Sequence, residues 1–205
     1  MQTFSALKYS ILSMILAISG SPRQKTTEYV LKQGTDFLND LGYKTVQYNV
    51  RGREIGFCTH CNSCLSGNGC IIQDDLQELY PLLIEADAII IASPVYNGGI
   101  TAQLKAVLDR TRAIFPPNKN ALRGKPGIAI AIGGDRSGGQ ELALQQIHTY
   151  YIINGMVPIG GGVFGANLGA SFWSKDTMKD IIADEEGLKT LKKTLKRLTE
   201  YMEKK

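Results

Sequence analysis

Three continuous apolar runs, each ended by a loop rich in glycine and small polar residues, constrain the fold most strongly. They occupy residues 14–18, 88–93 and 127–132. A strand buried on both faces of a parallel sheet is uniformly apolar, whereas a strand with one face in water alternates apolar and polar residues. The sequence therefore predicts three central strands of a parallel sheet.

Helical patterns separate these runs along the chain. Helices are predicted at 26–41, 101–112 and 140–154, and two further strands at 43–50 and 157–159. Alternating strands and helices form a parallel sheet joined by right-handed crossovers. We therefore predict an α/β, flavodoxin-like fold, with a five-stranded parallel sheet in the order 2-1-3-4-5 and helices on both faces.

The remaining segments give more local expectations. Asp75 and Glu78 form a capping-box signature for a helix that runs to about residue 85. Pro81 lies inside that helix and predicts either a kink or a late start. Residues 170–178 are expected to be irregular. The last helix, 184–203, carries one apolar stripe, which we expect to pack on the sheet, with a short dimer coil as the alternative.

Length and charge limit the classes of protein. A chain of 205 residues is most simply one domain, 1–205, in which residues 1–13 form a flexible extension and either Met1 or Met14 is the start. The net charge of +4 comes from scattered basic residues, so we expect no nucleic-acid partner. No apolar run reaches the roughly 18 residues of a membrane span, so we expect no membrane partner.

A loop at 56–73 contains every cysteine of the chain: Cys58, Cys61, Cys64 and Cys70. Structural zinc sites usually take thiolates from two separated knuckles, which this loop lacks. A compact C-x2-C-x2-C run with a fourth cysteine nearby is the kind of spacing that holds a [4Fe–4S] cluster. We favour that interpretation, and zinc binding and a metal-free loop remain the alternatives. Clustered thiols also indicate a reducing compartment, for which we expect the cytoplasm.

The loops after the three apolar runs should meet at the carboxyl edge of the sheet, where such folds bind ligands. The first loop offers the Ser21, Thr26 and Thr27 hydroxyls, the Arg23 guanidinium and the N–H groups of a helix start. Together they suit a phosphate monoester. Serine and threonine are also ordinary helix caps, and that simpler interpretation is the alternative.

The other two loops suit a flat ring. Tyr96 can lie against it, and glycine-rich backbone can approach its edge and stabilise negative charge on it. The alternatives are an ordinary strand-to-helix turn and a flexible surface turn. The candidate ring contacts in these two loops are Pro94, Val95, Tyr96, Asn97, Gly98, Gly133, Gly134, Asp135 and Gly139.

With these residues in view, the chain resembles the iron–sulfur flavoprotein family, a branch of the NADPH-dependent FMN reductase group with the flavodoxin-like fold. The cysteine motif is its specific part. One departure is Lys25-Thr26-Thr27-Glu28, where relatives often carry Ser-Asn-Thr or Gly-Asn-Thr. The resemblance rests on residues 18–23, the four cysteines with Asp74-Asp75, residues 93–96 and 102–105, and residues 138–141 and 147–148.

The resemblance implies a function. It implies FMN bound by the three loops, cluster ligation by the four cysteines, and a homodimer or homotetramer that transfers electrons. We expect a relay between a one-electron, ferredoxin-like carrier and an acceptor reduced by the flavin, with no catalytic side chain. One alternative is a NAD(P)H-dependent FMN or quinone reductase whose cysteine loop is vestigial or structural. Another is a zinc-stabilised, non-enzymatic redox-sensing module.

Overall fold

The computed structural model describes residues 13–204, so the extension predicted at 1–13 lies almost wholly outside the described residues. Short 3-10 turns precede α2 and follow α3. The strands and helices, in chain order, are β1 (Met14–Ser19), α1 (Thr26–Asp40), β2 (Lys44–Asn49), α2 (Leu79–Glu85), β3 (Ala88–Pro94), α3 (Ala102–Arg110), β4 (Pro126–Gly133), α4 (Gln140–Ile153), β5 (Val157–Ile159), β6 (Ala170–Trp173), α5 (Met178–Ile182) and α6 (Glu185–Glu203).

The strand order confirms the predicted topology. The path through the sheet is β2-β1-β3-β4-β5, and every pairing is parallel. The fifth position is shared, because β5 pairs with the first part of β4 and β6 pairs with its last four residues. Residues 160–169 connect the two halves of this split strand.

The expectation of irregular structure at 170–178 was therefore wrong. This segment contains β6 and the start of α5. Ala170 and Phe172 alternate with more exposed neighbours, so one face of the short strand is buried. Four residues carry too little periodicity to be recognised, and pairing with β4 supplies the stabilisation that the local sequence lacks.

Helices cover both faces of the sheet, as predicted. Leu16 and Ile18 of β1 belong to one hydrophobic cluster, which also contains apolar residues of α2, α3 and α4. Ile15 and Ala17 point to the other face and belong to a second cluster with α1 and α6. All of β3 is buried, which explains its uniformly apolar sequence.

Two helix predictions are refined. The α-helix begins only at Leu79, so the late start predicted from Pro81 is confirmed. The capping residue is Asp74 rather than Asp75, since the Asp74 side chain accepts a hydrogen bond from the Leu76 N–H. The stripe of α6 is buried within the chain, so the dimer-coil alternative is not needed. Within residues 13–204, no helix is long and apolar enough to cross a membrane.

Candidate functional site

The carboxyl ends of β1, β3 and β4 lie side by side and place the three predicted ligand loops together. Ser19 pairs with Ala92, and Pro94 pairs with Ile132. The hydroxyl of Thr101, which caps α3, also donates to the Gly20 carbonyl at 2.7 Å. This buried contact ties the loop after β1 to the loop after β3.

The loop after β1 is a tight turn that leads into α1. The Ser21 hydroxyl accepts from the Arg23 N–H at 3.2 Å and donates to the Arg23 carbonyl at 2.9 Å. Ser21 is buried and Arg23 is exposed. The serine hydroxyl thus shapes the turn, while the arginine side chain extends into solvent.

The start of α1 lacks the partners that a helix end normally has. In the described part of the chain, no side chain caps it. The Thr27 hydroxyl is buried and has no hydrogen-bond partner among those residues, and Thr26 is buried beside it. Uncapped N–H groups and an unpaired hydroxyl at a helix N-terminus are the features that an anion such as a phosphate satisfies.

A cavity of about 670 Å³ opens between the three loops. Its size lies within the range typical of small-molecule sites. Predicted residues that line it are Arg23, Val95, Tyr96, Asn97, Gly98, Gly134 and Asp135. Predicted residues that do not line it are Ser21, Thr26, Thr27, Pro94, Gly133 and Gly139.

Gly138 and Asp176 also line this cavity. Gly138 belongs to the glycine-rich loop after β4, but Asp176 lies in the segment expected to be irregular. The Asp176 backbone has a φ of 57°, and its carboxylate lies close to Gly134. A residue carried to the site by an unpredicted strand leaves no sequence signal for its position.

The second and third loops touch each other through glycines. Tyr96 and Gly99 exchange backbone hydrogen bonds of 3.0 and 3.1 Å, which close a tight turn around Asn97 and Gly98. Gly139 has a φ of 102°, and a Cβ there would lie 2.8 Å from the Gly98 Cα. Glycine is therefore required at position 139 by both backbone conformation and space.

Gln140, which the sequence did not indicate as a site residue, organises the third loop. Its side chain is buried, accepts from the Gly138 N–H at 2.9 Å and donates to the Asp135 carbonyl at 2.6 Å. A glutamine at the first position of α4 thus closes the glycine-rich loop on itself. The loop is more ordered than its composition alone indicates.

The four cysteines are free thiols and line one small cavity of about 30 Å³ beside the end of α3. Cys58 and Cys61 are exposed, whereas Cys64 and Cys70 are half-buried against the core. Hydrogen bonds from Ser63 lower the pKa of the Cys61 thiol and so favour the thiolate that binds metal.

The cysteine loop meets the chemical requirement for a metal cluster but is not preshaped around one. Four thiols facing one cavity are suitable donors for an iron–sulfur cluster or zinc. Across residues 13–204, however, no group of three or more His, Cys, Asp or Glu side chains is arranged to hold a metal ion. Positive φ angles at Gly67 and Gly69, which glycine adopts without strain, turn the backbone between Cys64 and Cys70.

A buried ion pair fastens both ends of this loop. The Arg110 guanidinium binds the Asp74 carboxylate through both terminal nitrogens, and one of these contacts is 2.9 Å. It also donates to the carbonyls of Gly56 and Ile72 at 3.1 and 3.0 Å. Asp74 in turn accepts from the Gly56 N–H at 2.7 Å. Burial alone would raise the pKa of Asp74, but Arg110 and backbone N–H donors lower it overall.

A larger cavity of about 960 Å³ lies between α3 and α4. It reaches from Tyr96 and Asn97 in the second loop to Arg112 beside the cysteines. Ile153 at the end of α4 lines it and is strongly exposed. This apolar surface connects the two predicted cofactor regions along α3.

Comparison with known proteins finds relatives that match most of the chain. The family described as NADPH-dependent FMN reductase matches residues 13–171. A protein of Archaeoglobus fulgidus named iron-sulfur flavoprotein is 53% identical over 191 residues, which are 93% of this chain and 98% of that protein. Another of that name, from Methanocaldococcus jannaschii, is 49% identical with the same coverage, and one from Methanosarcina thermophila is 35% identical, over 92% and 95% of the two chains.

Solved structures agree on the fold. An NADH:FMN oxidoreductase has a TM-score of 0.63 and 22% identity, over 93% of this chain and 88% of that one. The flavoenzyme NAD(P)H:(acceptor) oxidoreductase FerB of Paracoccus denitrificans has a TM-score of 0.61 and 19% identity, over 94% and 98%. At these identities the likeness concerns the fold alone, and it confirms the flavodoxin-like prediction.

Proposed function

The chain belongs to the iron–sulfur flavoprotein family, within the NADPH-dependent FMN reductases, and from this premise we propose that it carries FMN and a [4Fe–4S] cluster and relays electrons between them. Family membership supports both predicted cofactors and an FMN-dependent oxidoreductase. The observation that carries the relay is the placement of the two candidate sites. The flavin loop precedes α3, and the cysteine cavity lies beside its end.

We propose that the cavity between the three strand-end loops binds FMN. Arg23 would pair with the phosphate, supported by the unpaired Thr27 hydroxyl, by Thr26 and by the uncapped start of α1. Ser21 would shape the turn that presents Arg23. The ring would contact the loops after β3 and β4, at the residues Pro94, Val95, Tyr96, Asn97, Gly98, Gly133, Gly134, Asp135 and Gly139.

We propose that Cys58, Cys61, Cys64 and Cys70 bind the cluster. Their common cavity supports this assignment. Zinc is the competing occupant, and the compact spacing in a single loop favours iron–sulfur over zinc. Arg110 ties both ends of the loop to the core and would hold them in place around the four ligands.

The length of helix α3 indicates how far apart the two cofactors would lie. Its nine residues rise about 13 Å at 1.5 Å per residue. When bound, the flavin exchanges one or two electrons and the cluster exchanges one, so the pair can connect one-electron carriers to two-electron acceptors. The side chains bind and position these groups, and we assign no acid, base or nucleophile among them.

Anaerobic analysis of iron, sulfide and flavin tests the proposal. We expect the purified protein to contain both cofactors, and Cys61→Ser to lose iron while FMN stays bound, because the flavin loops are separate from the cysteine loop. Ser66→Ala in the same loop is the matched control and should retain both. Simultaneous loss of iron and FMN from Cys61→Ser, or retention of the iron, would contradict the assignment.

The same preparation separates the rival functions. Hydride transfer from NAD(P)H that is unaffected by Cys64→Ser would favour a reductase with a structural cysteine loop. A colourless protein with stoichiometric zinc and no flavin would favour the redox-sensing module. A redox titration in which cluster and flavin never exchange electrons would defeat the relay.

We also propose the partners and setting predicted from the sequence. A ferredoxin-like carrier or NAD(P)H would supply electrons in the cytoplasm, where four free thiols stay reduced. The exposed Ile152 and Ile153 beside the larger cavity support assembly into a homodimer or homotetramer. Light scattering tests this, and a monomer at micromolar concentration would contradict it.

A further inference from the structure

Two buried hydrogen-bond donors beside the cysteine loop have no acceptor. Within the described residues, the Tyr80 hydroxyl and the Arg110 Nε are both buried and unpaired. Tyr80 is 9% exposed and Arg110 is 2% exposed. The terminal nitrogens of Arg110 are already engaged by Asp74, Gly56 and Ile72, so only Nε remains free.

Unpaired buried donors oppose folding, and each calls for a specific explanation. Nearly all such groups in native proteins find a protein or water partner. Two of them, in side chains of α2 and α3 beside the cysteine loop, point to an acceptor at that loop.

Cys70 is the neighbour that the two donors share. Burial raises the pKa of Tyr80. The charge of Arg110 lowers this pKa, whereas the charge of a Cys70 thiolate raises it. Burial opposes the charge of Arg110, but Asp74, Tyr80 and Cys70 raise its pKa overall. Cys70 packs against the same hydrophobic cluster that contains Tyr80, and Arg110 lines the cysteine cavity. Cys70 and Arg110 therefore line one cavity, and the electrostatic effect of Cys70 reaches both donors.

We propose that Tyr80 and Arg110 donate hydrogen bonds to the Cys70 thiolate, or to a sulfide of the cluster that it binds, and thereby raise the reduction potential of the cluster. This inference rests on the proposed function. Reduction adds one electron, supplied by the reductant, and both side chains keep their protons. The added negative charge strengthens these hydrogen bonds, so the donors favour the reduced state.

The arrangement makes the four ligands unequal. Cys58 and Cys61 are exposed to solvent, whereas Cys70 faces the core and a buried guanidinium. Outer donors of this kind are a recognised means by which proteins tune metal sites. Tyr80 and Arg110 are positioning residues that act through Cys70.

Tyr80→Phe tests the proposal because it removes only the hydroxyl. We expect the anaerobic midpoint potential of the cluster to fall, by on the order of a tenfold change in the one-electron equilibrium, about 59 mV. The flavin potential should stay unchanged. Tyr43→Phe is the matched control, because Tyr43 is also a buried tyrosine but belongs to the hydrophobic cluster on the opposite face of the sheet. It should leave the midpoint potential of the iron–sulfur cluster unaltered.

An unchanged cluster potential in Tyr80→Phe would overturn the inference, as would loss of iron from this variant with retention in Tyr43→Phe. Arg110→Lys provides a second measurement. It retains the charge but removes the Nε donor, and its cluster potential should also fall. Absence of iron from the unmodified protein would refute the proposed function itself, so the two failures are distinguishable.

Discussion

Replacing Asp74 by alanine should destabilise the protein through the charge that it leaves behind. The Arg110 guanidinium has a side chain that is 1% exposed, and Asp74 is its only carboxylate partner among the ion pairs of the described chain. Removing one partner of a buried ion pair costs roughly 3–5 kcal/mol, because the other charge remains buried and unpaired.

The structure narrows this range. Arg110 would still donate to the carbonyls of Gly56 and Ile72, which solvate part of its charge. Asp74 also caps the turn before α2, and such a cap contributes about 1 kcal/mol. Since contributions within one network are not additive, we expect a loss of about 3 kcal/mol in the free energy of unfolding.

Urea unfolding under anaerobic conditions measures this loss. Asp36→Ala is the control, because Asp36 also forms an ion pair, with Lys32, but its side chain is 48% exposed. That variant should lose at most about 0.5 kcal/mol. Replacing both members, as Asp74→Ala with Arg110→Met, should be less destabilising than Asp74→Ala alone, since no buried charge is left.

The pH dependence has a definite sign. The pKa of Asp74 is lowered in the folded protein, so its contribution is present above the unfolded value of about 3.9 and disappears as pH falls through the folded value. Asp74→Ala should therefore show a flatter acid limb. A loss equal to that of Asp36→Ala would refute the role of the buried pair.

Two further predictions concern the flavin loops. Arg23→Ala should weaken FMN binding by about 1.5–3 kcal/mol and leave riboflavin binding nearly unchanged, because only FMN carries a phosphate. Fluorescence titration measures both affinities. Equal weakening of the two ligands would show that Arg23 does not bind the phosphate. Gly139→Ala should lower the free energy of unfolding by about 1–3 kcal/mol and also lower FMN affinity. Position 139 has a φ of 102°, and the added Cβ would collide with the Gly98 backbone. An unchanged FMN affinity together with an unchanged free energy of unfolding would contradict this contact.

The topology and the location of the site follow from local sequence, because uniformly apolar strands and the glycines after them are strong signals. The carboxyl-end rule then brings three loops together without knowledge of any contact. The spacing of four cysteines likewise marks one ligand-like loop. These features depend on residues close to one another in the chain.

The missed features depend on contacts between distant residues. Arg110 and Asp74 are 36 positions apart, and nothing local distinguishes Arg110 from an exposed arginine of α3. Asp74 rather than Asp75 caps the turn, and the Asp74 carboxylate also binds Arg110. Asp176 lies at the cavity because β6 pairs with β4. The sequence of a strand of only four residues is too short to predict that pairing.

The division of the outer strand into β5 and β6 makes one part of the chain independent of sheet register. Each half pairs with its own section of β4. In the connecting segment, residues 160–169, the carbonyls of Val163, Phe164 and Gly165 accept hydrogen bonds from the Lys193 ammonium. Residues inserted into segment 160–169 would lengthen the connection without shifting the register of β5 or β6 against β4. This edge is therefore a suitable attachment point for a reporter peptide.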